Sequence, residues 1–243
     1  MFDKEGPTFS ELARQALSST TRGYDMLAPK FEHTPFRTPD EILEALEEVV
    51  GPPGSIDRAL DLCCGTGAAM AILRPLCAEY VTGIDRSQGM LDEAETHLQD
   101  APGDAEIRLE QGDVLDMDYS EEFDVVVTFG ALGHILPEDQ DQFVRGAFEA
   151  LRPGGRFIFA TAPMPSVWSP RWWISRSFNA AMHVRNALIE PPFIMFYLIF
   201  TLERAREVLE RNGFEIEVLS PYEGTRFSVM RLVVATRPAD SKS

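Results

Sequence analysis

An α/β fold, with a mainly parallel sheet and helices on both faces, is what this sequence predicts, on three observations. From Arg58 to Thr161 short apolar runs alternate with helix-length amphipathic stretches. Strands that pair in parallel need a long right-handed connection, which a helix supplies. The 243 residues are 44% hydrophobic and 25% charged, enough for one core of that kind. The glycine-bearing turn LDLCCGTG, Leu60 to Gly67, then joins the first apolar run to the helical stretch after it.

In chain order, Thr38-Pro39-Asp40-Glu41 opens the first clear helix. Thr38 is suited to cap it, Pro39 to the first helical position and Glu41 to reach back. Ile42, Leu43, Leu46 and Val49 share one face until Gly51-Pro52-Pro53-Gly54 stops the helix. Strands are predicted over Arg58 to Leu62, Tyr80 to Ile84, Glu106 to Glu110, Phe123 to Phe129 and Arg156 to Thr161. Helices are predicted between them over Ala68 to Ala78, Ser87 to Gln99 and Glu138 to Leu151. A last helix, Thr201 to Arg211, ends at Asn212-Gly213. Strand-like runs Phe214 to Leu219 and Phe227 to Thr236 follow, and the short link Ser220 to Gly224 predicts an antiparallel hairpin. This divides the chain into an N-terminal helical cap (1–54), a core (55–162), an aromatic insertion (163–200) and a C-terminal helix with hairpin (201–243).

The insertion stands apart in composition. It holds all three tryptophans, Trp168, Trp172 and Trp173, and carries Arg171, Arg176 and Arg185 against Glu190 alone. The whole chain has a formal charge of −17, so nearly all of its acidity lies elsewhere. A surface that negative repels phosphate backbones, which argues against a nucleic-acid partner. Three cysteines, two of them adjacent, suit a reduced cytoplasmic setting better than a disulfide framework. The start MFDKEGPTFS lacks the pattern of a signal peptide, and the run Phe193 to Leu202 is about half of the ~20 residues a bilayer span needs. No stable membrane insertion is therefore expected. A homo-oligomer stays open on the sequence alone.

The turn Leu60 to Gly67 is where chemistry is expected. Glycines let the backbone bend sharply and approach a ligand, and the helix N-terminus offers free N–H groups. Asp85 ends the second predicted strand in GIDRSQGM, where the hydroxyls of a ribose would lie. Asp113, in QGDVLDM, ends the third, where a carboxylate beside a backbone N–H can read the amino edge of an adenine. An adenosine compound across the sheet is implied. Met70 stands where the dinucleotide fingerprint wants a third small residue, and no GxxxxGK[ST] is present. Pyrophosphate ligands lose ground to one adenosine with an amino-acid tail.

With these motifs in place the chain resembles the class I S-adenosylmethionine-dependent methyltransferases of small molecules. The resemblance rests on LDLCCGTG, GIDRSQGML, QGDVLDM, FDVVVTFGALGHIL and ALRPGGRFIFAT, in family order, and covers roughly Tyr24 to Gly155 plus the C-terminal helix and hairpin. It implies a Rossmann-like seven-stranded sheet with the last strand antiparallel, and S-adenosylmethionine as cofactor. It also implies that Asp61, Cys63, Cys64, Gly65, Thr66 and Gly67 form the cofactor loop and that Asp85 binds ribose. Arg86 and Met90 would then flank the adenosine, Asp113 and Val114 meet the adenine, and Phe129 and Gly130 line the tail. Tyr24 looks like the tyrosine that an N-terminal helix places over the cofactor's carboxylate. Cys63 departs from the pattern, because the loop's usual first glycine falls there.

His134, in GALGHIL after the fourth strand, stands where an acceptor's proton must be removed, and is the candidate general base. A pocket-lining or hydrogen-bonding role is its plain alternative. Glu190-Pro191-Pro192-Phe193 looks like an amine-methyltransferase motif, but follows the fifth strand and reads as a rigid turn. Cys63 and Cys64 have no C-x-x-C partner or nearby histidine and read as packing residues, with no metal expected. The function expected is methyl transfer to an apolar or aromatic small-molecule acceptor, with the insertion as a lid or interaction surface. A cofactor-binding regulatory protein without transferase activity is the alternative.

Overall fold

A computed structural model describes residues 5–239. The strands are β1 (Ile56–Leu62), β2 (Cys77–Asp85), β3 (Glu106–Gln111), β4 (Phe123–Thr128), β5 (Leu151–Thr161), β6 (Glu215–Leu219) and β7 (Arg231–Thr236). They form one sheet in the order β3-β2-β1-β4-β5-β7-β6. Strands β1 to β5 pair in parallel, and β7 runs antiparallel to both β5 and β6. The order reverses between β1 and β4, which opens a crevice at their carboxyl ends where α/β sheets bind ligands.

Helices cover both faces. Helix α3 (Asp40–Val50), α4 (Ala68–Leu73) and α5 (Gln88–Leu98) pack one face through Leu43, Leu46, Leu73 and Leu98. On the other face, α6 (Gln140–Ala150) and α8 (Leu202–Arg211) pack Phe143, Val144, Val208 and Leu209 against Phe157 and Phe159. In α6 the buried Val144, Ala147 and Ala150 recur every three positions, and burying each large apolar side chain is worth roughly 1.5–3 kcal/mol. Of three further helices, α1 (Phe9–Ala16), α2 (Thr20–Leu27) and α7 (Pro170–Leu188), the resemblance implies only α2, the N-terminal helix that carries Tyr24. Their start signals are nonetheless present. Thr8 and Glu11 make a reciprocal capping box for α1, and Ser169 caps α7 ahead of Pro170.

Several boundaries differ from expectation for identifiable reasons. Pro39 is extended and precedes α3, so Thr38 does not cap it, and Glu41 pairs with Arg226 instead of reaching back. Pro75 has no N–H to continue α4, which gives way to a 3-10 turn at Arg74–Leu76, and β2 starts at Cys77. Helix α6 starts at Gln140, whose buried amide donates to the Ile199 carbonyl at 2.9 Å. The link between β6 and β7 spans residues 220–230 and is no tight hairpin, because Tyr222 is buried and donates its hydroxyl to the Ile42 carbonyl at 3.1 Å.

Met70, too large for a dinucleotide-type helix contact, is fully buried because its opposite residue on β2 is Gly83. A Cβ at Gly83 would overlap the Met70 Sδ and lie 2.9 Å from the Cys64 Sγ. The small residue stands on the strand in place of the helix. Gly83→Ala is expected to cost about 1–3 kcal/mol of stability by overpacking. In a Met70→Ala background the same change should cost less, with only the Cys64 Sγ contact remaining, and urea unfolding of the four variants measures that coupling.

Candidate functional site

The turn after β1 is built on left-handed backbone. Cys63, Gly65 and Gly67 have φ of 58°, 53° and 84°. Glycine adopts this region freely, whereas a side chain there costs about 1–2 kcal/mol. That is why a glycine is usual at position 63 and why its replacement by cysteine is a departure with an energetic cost. The turn is pinned to β2 by the Cys64 N–H, which donates to the Ile84 carbonyl at 3.1 Å. Nothing lies within 4 Å of where a Cβ on Gly65 would sit, so its backbone faces open space. Gly67 differs: a Cβ there would meet Leu98 at 2.9 Å. It fits α4 against α5 and is absent from the cavity wall.

All the other expected site residues line one cavity: Tyr24, Asp61, Cys63, Cys64, Gly65, Thr66, Asp85, Arg86, Met90, Asp113, Val114, Phe129, Gly130 and His134. Asp85, at the carboxyl end of β2, accepts the Gly65 N–H on Oδ2 at 3.0 Å and the Ser87 N–H on Oδ1 at 2.9 Å. Each oxygen keeps lone pairs for a further donor, as a ribose diol requires. Asp113 accepts the Leu115 N–H at 3.1 Å and pairs with Arg86 at 3.4 Å. Met90 is buried on the first turn of α5, where its N–H donates to the Ser87 Oγ.

His134 sits in a 3-10 turn just after β4, held from both sides. Its Nδ1 is 2.5 Å from the Ile194 carbonyl oxygen, and its Nε2 is 2.9 Å from the Tyr24 hydroxyl. A carbonyl can only accept, so Nδ1 carries the proton and Nε2 accepts the Tyr24 O–H. Burial holds His134 below its ordinary pKa and Tyr24 well above its own. A neutral imidazole and a neutral phenol result.

Electrostatics narrow what the cavity takes. Burial, and the Asp85 charge beside it, push Asp61 well above the usual carboxylate range; burial also raises Asp85. Burial and the same acids push the Cys63 and Cys64 thiols up, so both stay protonated and are poor nucleophiles and poor metal ligands. A ligand bringing positive charge relieves the two carboxylates, whereas a pyrophosphate would add to their repulsion. The residues present therefore fit a cationic adenosine compound. They offer an open glycine backbone, a carboxylate with free lone pairs, and a buried acid, Asp61, beside the half-buried Asp85, with no ion pair to either among the described residues.

Sequence reasoning missed the roof. The Glu32 carboxylate accepts the Thr66 hydroxyl and the Arg37 guanidinium, each at 2.6 Å. Asp25 accepts the Ser87 hydroxyl at 2.6 Å and the Gly89 N–H at 3.1 Å. Phe31, Phe36, Arg37 and Thr38 complete the wall. A second cavity shares Phe36, Arg37, Thr38, Phe129, Gly130 and His134 with the first. Beyond them its lining is mainly apolar, with Ile42, Leu132, Met195, Phe196, Ile199 and Met230 beside Thr161 and Tyr197. Glu190 to Phe193 lines neither cavity, and Phe193 stacks on Tyr24 from outside.

The central part of the chain, residues 59–155, matches a family model described as a methyltransferase domain. The demethylmenaquinone methyltransferase of Lactobacillus johnsonii is 35% identical over 172 residues, 68% of this chain and 70% of that protein. An uncharacterized methyltransferase of Synechocystis is 28% identical over 195 residues, 76% of this chain and 79% of that one. Among solved structures, the complex of DhpI with SAH matches with a TM-score of 0.64 at 19% identity, over 96% of this chain and 100% of that chain. Two longer solved chains are spanned over only 51% and 52% of their length.

Proposed function

The chain belongs to the S-adenosylmethionine-dependent methyltransferases, and from that premise we propose that its acceptor is an apolar or aromatic small molecule bound in the second cavity. The observation that carries this reading is the shared wall. Phe129, Gly130 and His134 face both cavities, so an acceptor lodged among Leu132, Met195 and Phe196 lies beside the cofactor space. The demethylmenaquinone methyltransferase relative, named for a quinone, points the same way.

When bound, the cofactor supplies a methyl carbon already made electrophilic by a positive sulfur. The chain's own work is alignment and exclusion of water. Asp85 holds the ribose hydroxyls, Gly65 brings its backbone close to the tail, and Asp61 balances positive charge. Arg86 and Met90 flank the adenosine, and Asp113 and Val114 meet its base. Tyr24 and His134 handle the proton. An acceptor hydroxyl that reaches past the shared Gly130 and His134 into the first cavity, which Tyr24 lines, gives its proton to the Tyr24 oxygen while Tyr24 passes its own to His134 Nε2, leaving an anionic acceptor oxygen, a neutral Tyr24 and an imidazolium. The division into cap, core, aromatic insertion and C-terminal hairpin belongs to this reading, as does a cytoplasmic setting. No helix among the described residues is long and apolar enough to cross a membrane.

Transfer of a labelled methyl group to a demethylmenaquinol, to a simple catechol and to phosphoethanolamine tests the acceptor class. Label on either aromatic hydroxyl compound and none on the polar amine is expected; the reverse would sink the reading. His134→Ala should lower kcat by about 10²–10³ with cofactor affinity nearly unchanged. Full turnover in that variant would remove His134 as the base and leave it a latch between Tyr24 and Ile194.

A further inference from the structure

Helix α7 packs Met182 and the half-buried Phe178 against Phe193 and Phe196, yet keeps polar anchors on that same inner side and large apolar side chains outside. Its buried residues are Ser175, Asn179 and Met182, and polar side chains tie this inner side to the return segment. The Asn179 side chain exchanges two hydrogen bonds with the Tyr197 backbone, at 2.8 and 2.9 Å. Asn186 does the same with Phe193, at 3.1 and 3.0 Å. Arg185 turns inward to the Ala16 and Ser18 carbonyls. The outward stripe is apolar: Trp173, Val184 and Leu188 recur at helical spacing, with Ile174 beside them, and are 60–78% exposed. Trp168, just before the helix, is 91% exposed. A surface helix ordinarily shows the opposite pattern.

We propose that this face of α7 docks on an anionic lipid surface. Charge selects that occupant. Arg171 and Arg176 flank the stripe, and no acid occurs between Ala162 and Glu190, in a chain whose formal charge is −17. An anionic surface attracts this face and repels the rest, which fixes one orientation. The shape agrees: tryptophans projecting from a convex helix need a soft layer to enter, and indole rings settle at headgroup depth with arginines beside them. The geometry also gives docking a use. The segment returning from α7, Met195 to Phe200, lines the second cavity, so the docked helix and the acceptor space share one stretch of chain. Docking itself does not depend on which acceptor the enzyme methylates.

All three tryptophans lie in this segment, Trp168 and Trp173 exposed and Trp172 half-buried against Trp173, so selectively excited tryptophan fluorescence reports on it. Full-length protein is mixed with vesicles of phosphatidylcholine and phosphatidylglycerol in a 7:3 ratio, and emission and co-sedimentation are recorded. A blue shift with retention on the vesicles is expected, and weaker retention on phosphatidylcholine alone. Arg171→Gln with Arg176→Gln should lower the partition coefficient by about thirtyfold, two arginines near an anionic surface being worth that much, and Trp173→Ser with Ile174→Ser should lower it by about tenfold or more through lost apolar burial. Unchanged circular dichroism and unchanged affinity for S-adenosylhomocysteine show that the variants remain folded. Any of three results overturns the proposal: no retention, retention equal on neutral vesicles, or retention that both variants leave within twofold. A concentration-dependent blue shift without vesicles, with sedimentation as a dimer, overturns it too and makes the stripe a contact between copies of this chain.

Discussion

Replacing Asp85 with alanine is expected to weaken S-adenosylmethionine binding about a thousandfold. The carboxylate is placed to take two ribose hydroxyls, and each charge-assisted hydrogen bond is worth roughly 1.5–3 kcal/mol, or about 4 kcal/mol together. The same substitution frees the Gly65 and Ser87 N–H groups that Asp85 now accepts, so the glycine turn loses its tie to the end of β2. Calorimetry with S-adenosylhomocysteine reads the loss directly. Asp85→Asn keeps the shape but swaps an acceptor for a donor that faces one of those N–H groups, and should fall close to the alanine variant. An alanine variant that bound within tenfold of wild type would show that the ribose lies elsewhere.

Asp61→Asn should change stability and binding in opposite directions. Asp61 is buried beside Asp85, and its pKa is held well above the usual carboxylate range. A carboxyl group with a raised folded-state pKa favours folding fully only below its unfolded value near 4. That contribution is lost as pH rises towards the folded value, because the unfolded chain then releases the proton more readily. Asparagine cannot ionise and escapes this loss. Without ligand, the variant should therefore be more stable than wild type at pH 8 and nearly equal to it at pH 3, below the unfolded value. Cofactor affinity should fall about thirtyfold, since a buried charge no longer faces the cation. Wild-type binding should also release protons, because positive charge lowers the pKa of both acids, and Asp61→Asn should release fewer. Urea unfolding at the two pH values, and calorimetry in buffers of different ionisation enthalpy, check the three statements. A variant less stable than wild type at pH 8 would show that Asp61 is not a strained charge.

The cofactor half of the site is legible in the sequence because it is written at strand ends. An acid that closes a predicted parallel strand must reach the carboxyl edge of the sheet, whatever the helices do, so Asp85 and Asp113 are found without a structure. The roof is not legible. Glu32 meets Thr66 across 34 residues, and Thr20 meets the Ile194 N–H across 174. Neither contact leaves a periodic or spacing signal. Tyr24 and His134 were singled out separately, one for the cofactor and one for the acceptor, yet they share a hydrogen bond 110 residues apart. Gly67 belongs to the expected ligand loop by its place in LDLCCGTG, and only the structure adds that Leu98 beneath it leaves no room for a side chain.

The sequence by itself determined the parallel sheet, its antiparallel last strand, the glycine turn and the two acids beyond it. Those follow from short-range rules: period, chirality of crossovers, and backbone angles that glycine alone adopts freely. Tertiary structure decided what depends on pairs. It set Gly83 as the space for Met70, fixed the proton on Nδ1 of His134, and turned the tryptophan side of α7 outward. A helical period says that a helix has two faces. Which face is buried depends on the partner's shape and hydrogen bonds. Here Tyr197 and Phe193 offer α7 backbone groups that asparagines satisfy, so polar anchors are held in beside Met182 and an apolar stripe is left to the surroundings.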